Sequence, residues 1–239
     1  ENIKTKIETI VSPNEAVEIR KITLENQGNA EEVLEITSYF EPVLSKKEQD
    51  YAHPAFNNLF LIFDYDEETN SLIVKRKKRE AQDKEMYLAA NLSTNSETIG
   101  DLEYEIDEEK FIGRGNFGKP QMVVNSNPLS KKIGLVTEPI VALKRTVKIE
   151  PNEKATINLI ISVSEEKEEV LNNIKKYKME ENIEKAFELS KAQIEAHSRY
   201  LRIKGKEIKE YEKILSYIIF NNPAKKLILE KLPKRTYMQ

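Results

Sequence analysis

The feature that most constrains the fold is a two-residue alternation of side chains that runs through the first two thirds of the chain. It is visible from the start, where Ile3, Thr5 and Ile7 alternate with charged and polar residues. Short segments of this kind recur up to Ser164, separated by turn-forming stretches such as SPNEA at 12–16. Successive side chains of a β-strand point to opposite faces, so this alternation is typical of half-buried strands. The sequence therefore predicts a mainly β fold, a large antiparallel β-sandwich.

One of these segments, residues 17–26, changes phase within its length. Val17 and Ile19 share one face, whereas Ile22 and Leu24 share the other. An extra residue in a strand shifts the alternation by one position. The phase change therefore predicts a β-bulge near Arg20 and Lys21.

A second segment, LFLIFDYD at 59–66, is apolar without alternation in its first half. Short continuous apolar runs bounded by polar turns are typical of strands covered on both sides. We therefore expect a strand buried on both faces here.

The pattern changes to helical spacing after Ser164. Residues 164–177 open with a serine and acidic residues, which favour a helix start, and apolar residues recur at helical spacing through 179–203. Gly205 is predicted to end that second helix, and another is expected to begin near Lys206.

The end of the chain contains further helix breakers. Asn221, Asn222 and Pro223 are expected to end the last long helix, and Pro233 to close a short helical turn. We therefore predict a sandwich over 1–164 and a C-terminal α-helical linker over 165–239. The uncapped ends suggest a piece of a longer chain.

Composition excludes several classes of protein. The net charge of −3, with 33% charged residues, argues against a nucleic-acid-binding protein. No apolar run approaches the length of a membrane span, and no signal peptide precedes the first strand. The chain has no cysteine and only two histidines, His53 and His197. We therefore predict no metal and no cofactor.

Three polar stretches are candidate sites. DYDEET at 64–69 lacks the central glycine of a calcium loop, so a hairpin turn is expected. KRKKR at 75–79 is flanked by acidic residues, which favours a solvated strand end. His53 lies in AHPAFNN at 52–58, expected to be an ordered loop. It either contacts a ligand or is satisfied by the backbone, with Phe56 as a packing anchor; His197 is expected to be exposed.

The most distinctive stretch is FIGRGNFGKP at 111–120, which holds three of the seven glycines. Its spacing does not fit a dinucleotide-binding motif. It presents Arg114, Asn116 and Lys119, and arginine and asparagine suit sugar hydroxyls or phosphate. From the residues alone, a demanding turn and a ligand-binding loop both remain open.

Several motifs in one order resemble the N-terminal β-sandwich of glycoside hydrolase family 94, formerly glycosyltransferase family 36. The sequence is especially similar to the phosphorylase-like region of cyclic β-1,2-glucan synthases. Two stretches near the end, AFELSKAQIE and ILSYIIFNNPAKK, resemble the helical linker that follows that sandwich. The sandwich motifs are VEIRKITLEN (17–26), EITSYFEPVL (35–44), AHPAFNNLF (52–60), FIGRGN (111–116) and PIVALKRTVKIEPNEKATI (139–157).

This resemblance implies a supersandwich similar to galactose mutarotase-like folds, missing its first strands here, before an (α/α)6 catalytic barrel that this sequence does not contain. The family's catalytic residues lie in that barrel, so no catalytic residue is assigned. The implied partners are the barrel, a β-glucan oligosaccharide and inorganic phosphate through the parent enzyme, and a second copy in a homodimer. The implied location is cytoplasmic, with a parent anchored to the inner membrane.

The resemblance also implies that a sandwich loop lies near the mouth of the active site. We expect this to be the stretch at 111–120, with Arg114 and Asn116 as sugar contacts. Gly113, Gly115 and Gly118 would allow close approach, and His53 is a further candidate. The predicted function is a non-catalytic domain that scaffolds the barrel and frames the sugar site.

The alternative functions come from different classes. An autonomous carbohydrate-binding module would need an exposed aromatic platform, yet the chain has no tryptophan and its other aromatic residues fall mostly at core-like positions. A complete mutarotase-like epimerase would need a carboxylate and histidine pair in one cleft, which two histidines disfavour.

Overall fold

A computed structural model describes residues 2–80 and 83–219 of the chain. The strands are β1 Ile3–Val11, β2 Val17–Asn26, β3 Glu32–Phe40, β4 Leu61–Asp66, β5 Ser71–Arg76, β6 Met86–Thr94, β7 Glu103–Asp107, β8 Pro139–Ile149 and β9 Lys154–Ser164. The helices are α1 Lys47–Ala52, α2 Pro54–Asn58, α3 Glu108–Ile112, α4 Gln121–Val124, α5 Lys167–Tyr177, α6 Glu180–Tyr200 and α7 Gly205–Ile219.

The strands form two antiparallel sheets. The six-stranded sheet has the order β1-β2-β9-β6-β5-β4, and the three-stranded sheet has the order β3-β8-β7. Their facing sides bury one apolar core that includes Leu24, Phe63, Leu72, Leu143 and Leu159. The predicted antiparallel sandwich is confirmed.

The predicted bulge in β2 is wrong. β2 pairs with both β1 and β9 in unbroken register from end to end. The phase changes because the two halves of the strand are buried on opposite faces. Leu24 belongs to the core between the sheets, whereas Val17 and Ile19 pack on the other face against helices.

The prediction of a strand buried on both faces at 59–66 is also wrong. β4 is an edge strand in which Leu61 and Phe63 are buried, whereas Ile62 between them is only partly buried and Asp64 is exposed. The fully covered strand is its neighbour β5, where Leu72, Ile73 and Val74 are all buried. β5 lies inside the sheet, so neighbours cover it on every side.

Helix α5 packs on the outer face of the six-stranded sheet. Its Val170, Ile174 and Tyr177 form a second core with Ile19 and Ile160 of the sheet. Glu168 and Glu169 in its first turn and lysines in its last turn complement the helix dipole. Within the described ranges, the residues up to 190 form one compact unit that includes α5, and those from 191 to 219 belong to another. The division into domains at 164 and 165 stays a prediction.

The second unit, described to Ile219, contains the end of α6 and helix α7. The predicted role of Gly205 is wrong: α6 ends at Tyr200, and Gly205 begins α7. The left-handed position after α6 is occupied by Arg202, with φ 54°. The N–H of Ile203 donates to the carbonyl of Ser198, as in a Schellman helix end.

Two predictions lie outside the described residues, namely the helix break at 221–223 and the helical turn before Pro233. None of the helices in the described part of the chain combines the length and the apolar character needed to cross a membrane.

Candidate functional site

Three strands of the smaller sheet define one end of the sandwich, which we call the loop end. β3 and β7 end here and β8 begins here, because Phe40 pairs with Val141 and Asp107 pairs with Pro139. The connecting segments 41–60 and 108–138 therefore both leave the sandwich at this end. The second segment carries the stretch FIGRGNFGKP.

A bulge in β7 marks the start of this second segment. The register between β7 and β8 shifts between Glu105 and Asp107. The carboxylate of Glu105, fully buried, accepts hydrogen bonds from the N–H groups of Ile106 and Asp107 at 3.0 and 3.2 Å. The buried carboxylate thus satisfies the backbone groups that the bulge removes from the ladder.

The glycine loop, residues 113–119, lies between the short helices α3 and α4. Its tip is a tight turn in which Asn116 and Lys119 form an isolated antiparallel bridge. The N–H of Lys119 donates to the carbonyl of Asn116 at 2.9 Å. The side-chain oxygen of Asn116 accepts the N–H of Gly118, also at 2.9 Å. Asn116 therefore uses its amide oxygen to hold the turn.

Two glycines are required by the packing of the loop itself. Gly113 has φ 57°, a left-handed conformation that favours glycine. A Cβ on Gly115 would lie 2.3 Å from the carbonyl oxygen of Lys119 and 3.0 Å from that of Ile112. The demanding turn that the sequence left open is therefore present. The role of Gly113 and Gly115 in sugar contact stays a prediction.

Aromatic residues of the sandwich hold the glycine loop in place. Phe111, fully buried, packs with Leu129 and Ile140 under the smaller sheet's loop end. The ring of Tyr39 lies 4.9 Å from that of Phe111 and 5.8 Å from that of Phe117, measured between centroids. The Tyr39 hydroxyl also donates to the carbonyl of Phe117. The tip of the loop is thus tied to β3.

The groups that the loop leaves exposed are an arginine, a lysine and an aromatic ring. Arg114 and Lys119 are exposed, and neither forms an ion pair within the described ranges. The backbone N–H of Arg114 donates to Gln121 Oε1 at 3.1 Å. The guanidinium of Arg114 is not used in this bond, and the residue is exposed to solvent. Phe117 is 44% exposed. A guanidinium supplies hydrogen-bond donors and a phenyl ring a flat apolar face, which suits a polar ligand with an apolar side.

Two titratable groups beside the glycine loop, Glu108 and Lys110, have raised pKa values. Burial raises the pKa of Glu108, and the neighbouring Glu41 and Glu138 raise it further. Asp107 caps α3 by accepting the N–H of Lys110. Its hydrogen bond to the Lys110 ammonium raises the pKa of that lysine. The loop end therefore combines carboxylates with the basic groups of the glycine loop.

Comparison with known proteins identifies the family. Residues 1–180 match the family described as "Glycosyl hydrolase 94, supersandwich domain". This match covers three quarters of the 239-residue chain. The chain belongs to this family.

A curated relative agrees with the assignment to the glycosyl hydrolase 94 supersandwich family. The relative is cyclic beta-(1,2)-glucan synthase NdvB from Rhizobium meliloti (strain 1021), 24% identical over 220 residues. The aligned part covers 92% of this chain but 8% of the relative. The supersandwich chain therefore corresponds to a small part of a much longer protein.

His53 lies at the same end of the supersandwich but on a separate segment. The predicted ordered loop at 52–58 is wrong: α1 and α2 occupy most of it, and His53 is the residue between them. The backbone of His53 donates to the Gln49 carbonyl and accepts from Asn57, while its side chain is exposed. Within the described ranges, no hydrogen bond or ion pair links His53 to the glycine loop.

Phe56 is not the packing anchor that the sequence predicts. It is 44% exposed and lies edge-on against Phe60, with Arg79 over its ring. The buried residue of this segment is Asn57, whose side chain donates to the carbonyls of Gln49 and His53. The buried side chain of Asn57 thus has its hydrogen bonds satisfied by two backbone carbonyl groups of the same segment.

The other polar stretches of the supersandwich have structural explanations. Residues 67–70 form the predicted hairpin turn between β4 and β5, where Asp66 Oδ2 accepts the N–H and hydroxyl of Thr69. KRKKR is not simply a solvated strand end, because Arg76 is buried. In the described ranges, no three His, Asp or Glu side chains are grouped closely enough to hold a metal ion.

Sequence reasoning missed Tyr39 and Phe117 as parts of the site. Phe117 lies within the quoted glycine stretch, and an aromatic residue at a glycine-rich turn is a signal that could have identified it. Tyr39 gave no such signal, because it is 78 residues away from its partner along the chain. Only the smaller sheet's topology brings the two together.

Proposed function

We propose that this supersandwich is a non-catalytic domain of a carbohydrate-active enzyme that acts on β-glucan. Its roles are to scaffold a catalytic domain elsewhere in the longer chain and to present the glycine loop to the sugar. The observation that carries this proposal is the loop's construction. Arg114 and Phe117 are exposed on a turn that Tyr39 and Phe111 hold in place. Binding groups on rigid supports lose little entropy when a ligand is bound.

The epimerase alternative would place a histidine and a carboxylate in one cleft. Neither His53 nor His197 forms a hydrogen bond or ion pair through its side chain with a carboxylate in the described part of the chain. A general acid or base pair requires such groups within reach of one another. The epimerase alternative therefore gains no support from the geometry.

Exposed apolar residues support the scaffolding role. Large apolar side chains on the segments 41–60 and 108–138 remain exposed, and such surfaces are typical of places where another protein surface packs. They are Val43, Leu59, Val123, Val124, Ile133 and Leu135. The occupant we propose is the catalytic domain of the same enzyme, because the relative extends far beyond the aligned region. Use of inorganic phosphate, a homodimer, a cytoplasmic location and an anchored parent remain predictions.

The test is Arg114→Ala in the full-length enzyme that contains this domain. Loss of a charged hydrogen bond of about 1.5–3 kcal/mol corresponds to roughly a 10- to 100-fold decrease in kcat/KM with β-glucan. The matched control is Arg199→Ala, which removes another exposed arginine, from α6. Unchanged kinetics in Arg114→Ala, with an unchanged melting temperature, would contradict the proposal.

A carbohydrate-binding module is the second candidate, because the structure does expose aromatic rings. Tyr51 is 84% exposed on the segment 41–60, and Phe117 is exposed on the glycine loop. Titration of the 239-residue chain with β-1,2-linked gluco-oligosaccharides distinguishes the two functions. Saturable binding that Phe117→Ala abolishes would favour the module, whereas no binding by the isolated chain would favour the scaffold.

A further inference from the structure

A cleft lies at the loop end of the sandwich, beside the segment 41–60 and away from the glycine loop. Its volume is about 610 Å³. The ends of several strands meet here: Arg76 is the last residue of β5, Met86 the first of β6, and Val163 lies near the end of β9. Val43 and Leu44, which follow β3, complete an apolar part of the wall. Clefts of this size with an apolar wall and a few polar groups are typical of small-molecule sites.

The most unusual group in the cleft is Arg76. It is 7% exposed, yet it makes no ion pair within the described ranges. Its guanidinium has one long hydrogen bond of 3.5 Å to Asn57 Oδ1 and lies 5.6 Å from the centre of the Phe60 ring. Buried charges in proteins are normally paired, because removing them from water is costly. Arg76 thus retains most of its donors for an anion.

Other groups of the cleft favour the same ligand. The hydroxyl oxygen of Ser45 is buried without a hydrogen-bond partner in the described structure. Lys46, also on the wall, has no ion pair there. Lys84 is paired with Glu165 at 2.7 Å.

The one carboxylate on the wall, Asp83, is already engaged. Its Oδ2 accepts the N–H groups of Arg79 and Glu80, each at 3.1 Å. Within the described ranges, the unpaired polar groups of the cleft are therefore two cations, a hydroxyl and the exposed side-chain amide of Gln49.

We propose that this cleft binds a small oxyanion, either a phosphate or phosphate ester or a carboxylate. Arg76 supplies the planar fork that matches two oxygens of such an anion, and the Ser45 hydroxyl donates a further hydrogen bond. Lys46 contributes charge at the mouth. The apolar wall formed by Leu44, Met86 and Val163 accommodates an apolar substituent on the anion. This site is independent of the glycine loop and of the sugar function proposed above.

The experiment measures thermal unfolding of the 239-residue chain in phosphate, phenyl phosphate or benzoate, each against sodium chloride at equal ionic strength. A ligand present at about ten times its Kd stabilises the fold by about 1.4 kcal/mol, which raises Tm by roughly 3–6 °C in a protein of this size. Phenyl phosphate should act at a lower concentration than phosphate, because its ring is buried against the apolar wall. A shift in phosphate but not in benzoate would indicate a phosphate site, and a shift in benzoate but not in phosphate would indicate a carboxylate site.

Three variants and one control make the result decisive. Arg76→Gln should abolish the shift, and Ser45→Ala and Lys46→Gln should each raise the half-saturating concentration at least threefold. If Arg76→Gln lowers the melting temperature even without ligand, the ligand-induced shift can still be compared between the unchanged chain and the Ser45→Ala and Lys46→Gln variants. Lys4→Gln removes an exposed lysine from β1 and should leave the shift unchanged. No shift with any of the three anions, or equal shifts in all four variants, would overturn the proposal.

Discussion

The hydroxyl of Tyr39 on β3 donates a hydrogen bond to the carbonyl of Phe117 at the tip of the glycine loop. The two rings also lie 5.8 Å apart between centroids, tilted by 48°. A single side chain thus reaches from the sheet to the exposed aromatic residue of the candidate site. The position of Phe117 therefore depends on β3 and not on the loop's own sequence alone.

Tyr39→Phe should loosen the glycine loop without unfolding the sandwich. The variant keeps the ring contacts with Phe111 and Phe117 but loses the hydrogen bond, at a cost of about 0.5–1.5 kcal/mol. Hydrogen exchange of residues 113–119 should become faster while exchange in β8 stays the same. Tyr51→Phe, which changes an exposed ring, is the control. Equal exchange rates in both variants would show that the bond does not hold the loop.

Gly115→Ala should strain the glycine loop. The new Cβ would lie 2.3 Å from the carbonyl oxygen of Lys119, a backbone atom that can move only if the turn opens. Overpacking of this kind costs about 1–3 kcal/mol in unfolding free energy. Denaturant unfolding of this variant is compared with that of Gly205→Ala, where no atom lies within 4 Å of the new Cβ. Equal stability of the two variants would contradict the close packing at Gly115.

Glu15→Gln should reduce stability at neutral pH more than in acid. Hydrogen bonds from Lys176, Ser12 and Tyr177 lower the pKa of Glu15 from 4.5 to about 2. Because the folded-state pKa lies below the unfolded value, the stabilisation is full above pH 4.5 and disappears as pH falls towards 2. The contribution is about 1–3 kcal/mol, reduced from the ideal linkage value by partial exposure.

The measurement for Glu15 is denaturant unfolding of both proteins at pH 7 and at pH 3. The difference in unfolding free energy should be smaller at pH 3. Glu8→Gln, which breaks an exposed pair with Lys6, should cost no more than about 0.5 kcal/mol at either pH. A difference for Glu15→Gln that is independent of pH would be inconsistent with the lowered pKa.

Ile174→Ala should destabilise the whole sandwich, because Ile174 of α5 is fully buried against the outer face of the six-stranded sheet. Truncation of such a side chain costs about 2–5 kcal/mol. Leu189→Ala, at an exposed position of α6, should change stability by about 0.5 kcal/mol or less. Calorimetry should show the strands and α5 melting in one transition. A similar small effect in both variants would assign α5 to a peripheral linker.

The class of the fold was predictable because its signals are local. Alternation identified strands such as β7 and β9, and the acidic start at Ser164 identified α5. The order of motifs also pointed to the family that the comparison shows. Each of these signals depends on neighbouring residues, and those neighbours are visible in the sequence.

Two of the predictions that failed share one cause, which is burial by distant residues. Ile19 and Leu24 face different cores, and the first core exists only because α5 returns to the sheet. Arg76 looked like part of a charged strand end, yet β5 places it inside the sandwich. The wrong end predicted for α6 has a different cause, because the exposed Arg202 adopts the left-handed conformation that is more usual for glycine. No local pattern distinguishes these cases.

The sequence by itself determined that strands form, where helices replace them, and that a glycine-rich turn separates two of the strands. The tertiary structure alone decided which face of each strand is buried, which ring supports the glycine loop and that Arg76 is buried without an ion pair in the described part of the chain. The physical reason is that backbone sterics act between neighbours in the chain, whereas burial and pairing act through space. Tyr39 and Phe117 meet across 78 positions, and such contacts are set by how the sheets are assembled.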